Sequence, residues 1–192
     1  MKGRLIALEG IDGCGKHTQI EKLKEGIPEL VVFKYPTQNY SLLNDYLEKR
    51  VSLGPKALFL LFLSDIANEQ QKVKEALEAG RTVILDRYVF STIAYEINGI
   101  SYDNGKKIVS ECGFLRPDLV LLLDISSEVS QDRKSKQKEL DRYEENKEYL
   151  EKVRNNFIKL HEERFLTPNW HMLDASRDAQ SVHEDILKLL GE

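Results

Sequence analysis

Glycines and a lysine lie close together near the start of the chain, in a pattern that binds phosphate groups. The segment Gly10-Ile-Asp-Gly-Cys-Gly-Lys16 matches G-x-x-x-x-G-K and lies between an apolar run and a stretch with helical spacing. Glycines allow successive N–H groups to turn towards an anion, and the positive end of the following helix adds to the attraction. The Lys16 ammonium would add a full charge at the β- and γ-phosphates. The motif predicts a nucleoside triphosphate site; a chance glycine-rich turn is the alternative.

The residue after this lysine departs from the motif. That position normally carries Ser or Thr, whose hydroxyl ligates Mg²⁺, and here it is His17. Mg²⁺ prefers oxygen ligands, so an imidazole is a poor replacement. Three explanations compete for the missing Mg²⁺ ligand. A water fills its coordination position, Thr18 supplies an oxygen, or carboxylates and phosphates hold the metal alone. The first and third are favoured because Thr18 should face another side of the helix. Cys14 is interpreted as a small filler residue.

A carboxylate and a guanidinium follow a second apolar run, where Val83-Ile-Leu leads into Asp86, Arg87 and Tyr88. Ligands of open α/β sheets bind beyond the carboxyl ends of the strands. Asp86 could therefore position metal-bound water or an attacking acceptor, and Arg87 could hold a phosphate. An Asp–Arg pair that only closes the strand is the alternative.

The elements that must position these groups alternate along the chain. Four nearly continuous apolar runs and one weaker run predict strands at residues 5–8, 30–33, 82–85, 119–123 and 170–173. Helical spacing occurs at residues 16–24, 57–79, 103–112, 146–165 and 179–190. The alternation predicts one α/β domain over residues 1–192, with βαβ units and a doubly wound parallel sheet.

Composition narrows the class of protein. The 192 residues are 41% hydrophobic, which is enough to bury one sizeable core. The net charge of −4 gives no sign of the basic excess that nucleic-acid binding normally needs. Cys14 and Cys112 are too few for a disulfide framework, no signal peptide is recognised, and the apolar run at 57–63 is too short for a membrane span. We therefore expect a cytoplasmic enzyme or nucleotide-binding protein, with small-molecule nucleotides as partners and neither nucleic acid nor membrane.

Three signatures and the tail resemble the thymidylate kinase family, in the family's order and over essentially the whole chain. Residues 8–19 are similar to its opening signature, 86–95 to its second, 140–144 to its third, and 169–187 to its tail. The resemblance implies ATP-dependent phosphoryl transfer to dTMP for dTTP synthesis, with Mg²⁺ and a homodimer. It also implies a P-loop NTPase-type three-layer fold, with a five-stranded parallel sheet flanked by helices and a small mobile lid at about residues 131–143.

The resemblance further implies sets of site residues. The catalytic residues would be Lys16, Asp86, Arg87 and Asp12. The ATP site would comprise the loop, its flanks and two arginines, namely Gly10, Ile11, Asp12, Gly13, Cys14, Gly15, Lys16, His17, Thr18, Arg133 and Arg142. The acceptor site would comprise Asp12, Lys34, Gln38, Phe62, Ile66, Arg87, Thr92, Tyr95 and Tyr143. The metal would be held, partly through water, by Asp12, Asp86 and Glu144.

Some of these roles are specific. Asp12 would lie near the 3′-hydroxyl of the acceptor or the metal, and Arg87 would grip the acceptor phosphate. Phe62 would stack on thymine, although plain core packing is the alternative for a residue with apolar neighbours. Thr92 would lie near the ring edge. Tyr95 would pack beneath the sugar and disfavour a ribose 2′-hydroxyl.

Two acceptor positions depart from the family pattern. An arginine that the family often carries near residues 33–38 is absent, and Lys34 or Gln38 would stand in its place without the bidentate fork. Ile66 occupies the slot of an arginine that usually reads a thymine carbonyl. We therefore expect looser pyrimidine selectivity than a typical member has.

The polar, lysine-rich segment at residues 131–138 is interpreted as a mobile surface element, with a solvated helix face as the alternative. Some family members reach the γ-phosphate with an arginine at the slot held here by Gly13, and others with a lid arginine. The glycine places this chain in the second group. Arg133 is one candidate donor, with the lysines at 134, 136 and 138 as alternates, and residues 142–144 would close over the site.

Two other functions stay open at this point. A kinase for another nucleoside monophosphate would suit the lost base contacts. A weakly catalytic nucleotide-binding regulator would suit His17 and the missing phosphate arginine.

Overall fold

The apolar runs form a parallel sheet in the computed structural model, which describes residues 3–96, 98–135 and 147–191. The strands are β1 (Arg4–Glu9), β2 (Val31–Lys34), β3 (Thr82–Asp86), β4 (Leu119–Asp124) and β5 (Trp170–Asp174). Over the described ranges their order is β2-β3-β1-β4-β5, with parallel neighbours throughout. The predicted five-stranded parallel sheet is confirmed.

Helices lie between and after the strands. They are α1 (Lys16–Gly26), α2 (Ser41–Leu47), α3 (Pro55–Glu78), α4 (Val89–Tyr95), α5 (Tyr102–Glu111), α6 (Ser127–Ser135), α7 (Lys147–Glu162) and α8 (Ala179–Leu190). Helices α2, α4 and α6 were not expected from the spacing of apolar residues. Helix α4 is buried from Val89 to Ala94, so it has no solvent-exposed face, and its seven residues are too few to establish a helical period.

The order of the strands brings the two predicted motifs together. Strand β1 is central and pairs with β3 so that Leu8 lies opposite Asp86. Because parallel strands end at the same edge of the sheet, the loop after β1 and the residues after β3 meet there. The buried faces of β1, β3 and β4 form the main core, which fixes the two loops against a rigid base.

A search of the described ranges finds no helix with the length and apolar character needed to cross a membrane.

Candidate active site

The loop from Gly10 to Gly15 joins β1 to the first turn of α1. Gly10 has φ +140°, and a Cβ there would lie only 2.4 Å from the carbonyl oxygen of Leu123 on β4. No side chain fits in that space, so the backbone of the loop lies directly on the sheet. Gly15 is the N-cap of α1 and has φ +99°. The loop thus has the strand–loop–helix setting that an anion-binding nest requires.

Lys16 is folded back onto this loop. Its ammonium donates to the carbonyl oxygen of Gly10 at 2.9 Å and lies 3.4 Å from that of Ile11, and the side chain is buried. Cys14 is also buried, and its sulfur lies 3.5 Å from the same ammonium, in keeping with a filler role. A single cation is therefore held at the mouth of the nest, where it can turn towards phosphate oxygens.

A cluster of polar side chains connects the loop to the end of β3. A guanidinium nitrogen of Arg87 donates to Asp12 Oδ1 at 2.6 Å, and the Tyr95 hydroxyl donates to Asp12 Oδ2 at 2.9 Å. The Arg87 guanidinium also lies over the Tyr95 ring, 5.1 Å from its centroid. Burial alone would raise the pKa of Asp12, but the charges of Arg87 and Lys16 hold that pKa well below its usual range. Asp12 is thus a fixed carboxylate at the boundary of two sites.

Glu9 and Ser91 extend this cluster beneath Arg87, and neither was singled out from the sequence. Ser91 Oγ accepts from Arg87 at 3.2 Å and donates to Glu9 Oε2 at 2.7 Å. Glu9 is fully buried at the end of β1, and its Oε1 has no hydrogen-bond partner among the described residues. A carboxylate at the end of a buried strand is the sequence signal that could have identified it. Together the two residues fix the orientation of the guanidinium.

Glu9 should give the stability of the protein a distinctive pH dependence. Burial raises its pKa from 4.5 to about 7, against the opposing effects of Ser91, Arg87 and Lys16. The folded chain therefore binds this proton more tightly than the unfolded chain. The protonated carboxyl thus stabilises the folded state fully below pH 4.5, and this stabilisation is lost as the pH rises through 7. Replacing Glu9→Gln should remove that loss, making the variant gain roughly 3 kcal/mol at most relative to wild type between pH 5 and pH 8.

Urea unfolding at pH 5 and pH 8 measures this difference. The matched control is Glu25→Gln, which changes an exposed glutamate on α1. If the free energies of unfolding of wild type and Glu9→Gln differed by the same amount at both pH values, Glu9 would be ionised throughout.

Asp86 lies at the same edge of the sheet and has an unsatisfied oxygen. The side chain is 6% exposed, and its Oδ1 lacks a hydrogen-bond partner within the described ranges. In the same part of the chain, no group of three or more His, Cys, Asp or Glu residues could hold a metal ion by itself. Mg²⁺ is commonly bound by one or two carboxylates with water and substrate phosphates, so a buried carboxylate oxygen without a described partner at this edge of the sheet fits that ion.

A cavity of about 350 Å³ opens on the other side of the Asp12–Arg87 pair. Aromatic and apolar side chains supply much of its wall, and a few polar groups complete it. The lining includes Asp12, Lys34, Tyr35, Phe59, Phe62, Ile66, Arg87, Tyr88, Thr92 and Tyr95. The predicted acceptor residues therefore meet in one place, with two exceptions. Gln38 is exposed and does not line this cavity, and Tyr143 lies outside the described residues.

Phe62 lies at the cavity rather than wholly within the core. It is half-buried on α3 and faces the same space as Ile66, one turn further along the helix. Thr92 and Tyr95 reach that space from α4. Lys34 is exposed at the end of β2 and also lines it. The arrangement is an aromatic slot with a cationic end, which suits a flat ring that carries an anionic group.

Helix α6 covers the other side of the loop. Ser130 Oγ donates to the carbonyl oxygen of Asp12 at 2.6 Å, and a Cβ at Gly13 would meet the Ser130 carbonyl oxygen at 3.1 Å. Gly13 also has φ +76°, so a side chain at that position would be both strained and crowded. The absence of an arginine from this slot therefore follows from the packing of α6. Ser130 was not expected from the sequence.

The mobility of residues 131–138 stays a prediction, because the structure describes only residues 131–135 of this stretch. Residues 131–135 complete α6, and the Arg133 guanidinium donates to the carbonyl oxygens of Gly13, Ala175 and Ser176 at 3.0–3.3 Å. These contacts bind the segment to the loop after β1 and to the loop after β5. The remaining lid positions, including Lys136, Lys138, Arg142 and Glu144, lie outside the described residues.

The two residues after Lys16 are on the first turn of α1. His17 and Thr18 are both exposed, so neither contributes to the buried polar cluster around Asp12.

Known proteins are similar to this chain in sequence and in fold. A family model for thymidylate kinase matches residues 8–186. The chain is 35% identical over 200 residues to a thymidylate kinase of Homo sapiens, covering 100% of this chain and 91% of that protein. It is 34% identical over 204 residues to the enzyme of Schizosaccharomyces pombe, covering 99% and 92%.

A solved thymidylate kinase from Candida albicans, an enzyme described as having broad substrate specificity, superimposes with a TM-score of 0.83 at 25% identity. The match covers 99% of this chain and 92% of that one. The shared fold is the P-loop NTPase fold that the sequence predicted. The family match also spans the loop, the Asp12–Arg87 pair and the aromatic cavity. The chain therefore belongs to the thymidylate kinase family.

Proposed function

We propose that this chain transfers the γ-phosphoryl group of ATP to dTMP, giving ADP and dTDP for dTTP synthesis, through the residues described above. The observation that supports this most strongly is the Asp12–Arg87 contact of 2.6 Å. It joins a phosphate-binding loop to an aromatic cavity, as a two-substrate phosphotransferase requires. Because phosphoryl transfer depends mainly on positioning and charge, this junction is where the reaction would occur.

On the donor side, the amides of the loop and the Lys16 ammonium would bind the triphosphate. The buried position of Lys16 keeps its charge close to the phosphates and away from bulk water. Arg133 and Ser130 hold α6 against the loop, which limits access of water from that side. Limiting water matters because water is a competing acceptor.

On the acceptor side, Arg87 would bind the acceptor phosphate while Asp12 lies near the sugar. Phe62 would stack on the base, and Tyr95 would pack beneath the sugar. The Tyr95 hydroxyl is already donated to Asp12, so a ribose 2′-hydroxyl would compete for space and for that carboxylate. The geometry therefore favours a deoxynucleotide.

Mg²⁺ would be held by Asp86 and Asp12, with Glu144 as a third candidate and water between protein and metal. When bound, the ion would neutralise charge on the phosphate oxygens. Asp86 suits this role because its Oδ1 is buried with no described partner, whereas both oxygens of Asp12 are already engaged.

Relaxed acceptor selectivity is part of the proposal, and a panel of acceptors tests it. Ile66 is 2% exposed and lines the cavity, where it offers apolar contact but no hydrogen bond to a base. We expect ATP turnover to require an acceptor, with dTMP giving the highest kcat/KM and dUMP and dCMP remaining measurable. Acceptor-independent ADP release, or preference for a purine nucleotide, would contradict the proposal.

Replacing Ile66→Arg should sharpen this selectivity. Asp65 and Glu69 flank the position on α3 and would favour the introduced cation, which can donate two hydrogen bonds to a carbonyl. We expect the dTMP-to-dCMP ratio of kcat/KM to rise by about tenfold. Ile66→Leu is the control, since it keeps an apolar side chain of equal volume and should leave the ratio unchanged. Equal ratios in all three proteins would argue against a role for residue 66 in reading the base.

We also propose that the chain acts as a homodimer in the cytoplasm. Leu60 on α3 is 53% exposed and Leu42 on α2 is 41% exposed, which leaves apolar surface for a second copy to cover. The cysteines Cys14 and Cys112 are unpaired, in keeping with a reducing compartment. Sedimentation at assay concentrations would measure the association, and a monomeric mass would refute it.

A further inference from the structure

Two tyrosines stand side by side in the wall of the acceptor cavity, and their hydroxyls differ. The ring centroids of Tyr35 and Tyr88 are 6.4 Å apart. The Tyr88 hydroxyl is bound at 2.9 Å by both Gln70 Oε1 and the carbonyl oxygen of Leu115. The Tyr35 hydroxyl is buried, in a side chain that is 3% exposed, and has no hydrogen-bond partner among the described residues. Tyr35 therefore holds an unused polar group just beneath the surface of this wall.

The two acidic groups whose charges act on this hydroxyl, Asp65 and Glu69, are already engaged by other donors. Asp65 accepts from the backbone N–H of Thr37 at 2.7 Å and from the Thr37 hydroxyl. Glu69 accepts from Lys72 at 3.0 Å and from Asn39 at 3.3 Å. Burial, with the charges of Glu69 and Asp65, raises the pKa of Tyr35 well above its usual value. The hydroxyl therefore keeps its proton and is able to donate it to a hydrogen bond.

The position of the hydroxyl relates it to the base-binding part of the cavity. Asp65 and Glu69 belong to the stretch of α3 that also carries Ile66, and Phe62 lies one turn earlier. Tyr35, Phe62 and Ile66 all line the cavity. A polar hydrogen left unpaired inside a protein destabilises the folded state, so its presence beside a ligand cavity needs a reason.

We propose that the Tyr35 hydroxyl donates a hydrogen bond to the C4 carbonyl oxygen of the acceptor's pyrimidine base, and so determines base specificity. The inference rests on the proposed function, because it assigns the base that this cavity receives. A neutral hydroxyl supplies one donor, fewer than an arginine at position 66 would. This chain then selects a carbonyl over an amino group, but less strongly than a chain with an arginine at position 66 would.

The pair of acceptors dTMP and dCMP tests this assignment, because dCMP carries an amino group where dTMP carries the C4 carbonyl. In Tyr35→Phe only the hydroxyl oxygen is removed. We expect kcat/KM for dTMP to fall by about tenfold, and that for dCMP to change by less than about threefold. The melting temperature without nucleotide should stay the same or rise, because an unpaired buried hydroxyl is lost.

Tyr102→Phe is the matched control, since its hydroxyl donates to Glu163 at 3.2 Å, away from the cavity. An unchanged dTMP-to-dCMP ratio in Tyr35→Phe would overturn the inference. A lower melting temperature would also overturn it, because the hydroxyl would then have a partner within the protein. Wild type in the same assay tests the proposed function separately. Calorimetric titration of dTMP and dCMP into both proteins measures the effect of Tyr35 even where turnover is absent.

Discussion

Lys16→Ala should reduce kcat with ATP and dTMP by roughly a thousandfold, as judged by ADP release. The ammonium is a buried charged donor that the loop from Gly10 to Gly15 holds at its mouth, 2.9 Å from the Gly10 carbonyl oxygen. Transition-state charge on the phosphoryl oxygens would lose that donor, and water cannot replace it in a buried site. The KM for dTMP should change little, because Lys16 does not line the aromatic cavity.

Lys24→Ala is the control for this variant. Lys24 is on the same helix, is exposed and forms an ion pair with Glu21 at the surface. It should therefore retain full activity and nearly full stability. If Lys16→Ala kept more than about a tenth of the wild-type kcat, the ammonium would not be acting on the transferred group.

Arg87→Lys should lower kcat/KM for dTMP by about a hundredfold, mainly through KM. Arg87 binds Asp12 at 2.6 Å and Ser91 at 3.2 Å while its guanidinium lies over Tyr95. It does so from a backbone with φ +68°, in the left-handed region that residues other than glycine rarely adopt. A lysine keeps the charge but has a single nitrogen, so it cannot hold Asp12 and an acceptor phosphate in the same fixed geometry.

The same substitution at an exposed arginine gives the comparison. Arg81 is exposed and directly precedes β3, so Arg81→Lys should leave both KM and kcat unchanged. A variant at Arg87 that lost kcat but kept the wild-type KM for dTMP would place the guanidinium on the transferred phosphoryl group instead of the acceptor phosphate.

The sheet and the loop could be predicted from the sequence because their signals are local. A strand buried on both faces is a continuous apolar run, and the glycines of the loop are required by contacts as close as that of Gly10 with Leu123. The pairing of Asp12 with Arg87 follows in part from strand order, since both lie at the carboxyl edge of a parallel sheet.

Other parts of the site depend on tertiary contacts that leave no local signal. Helix α4 is only seven residues long and has almost no exposed surface, so its sequence does not establish a helical period although it presents Thr92 and Tyr95 to the cavity. Ser130 becomes part of the site only because α6 packs on the loop. The state of the Tyr35 hydroxyl depends on which donors reach Asp65 and Glu69, and these come from the loop after β2 and from Lys72 on α3.

The fate of the γ-phosphoryl group tests the central claim most directly. Incubating the wild-type chain with ATP labelled at the γ-phosphate, Mg²⁺ and dTMP should place the label in dTDP, with one ADP formed for each dTDP. Without dTMP, neither labelled product nor ADP should accumulate. Label found in inorganic phosphate at the same rate with and without dTMP would contradict the account, because the loop and the cavity would then not act on a shared phosphoryl group.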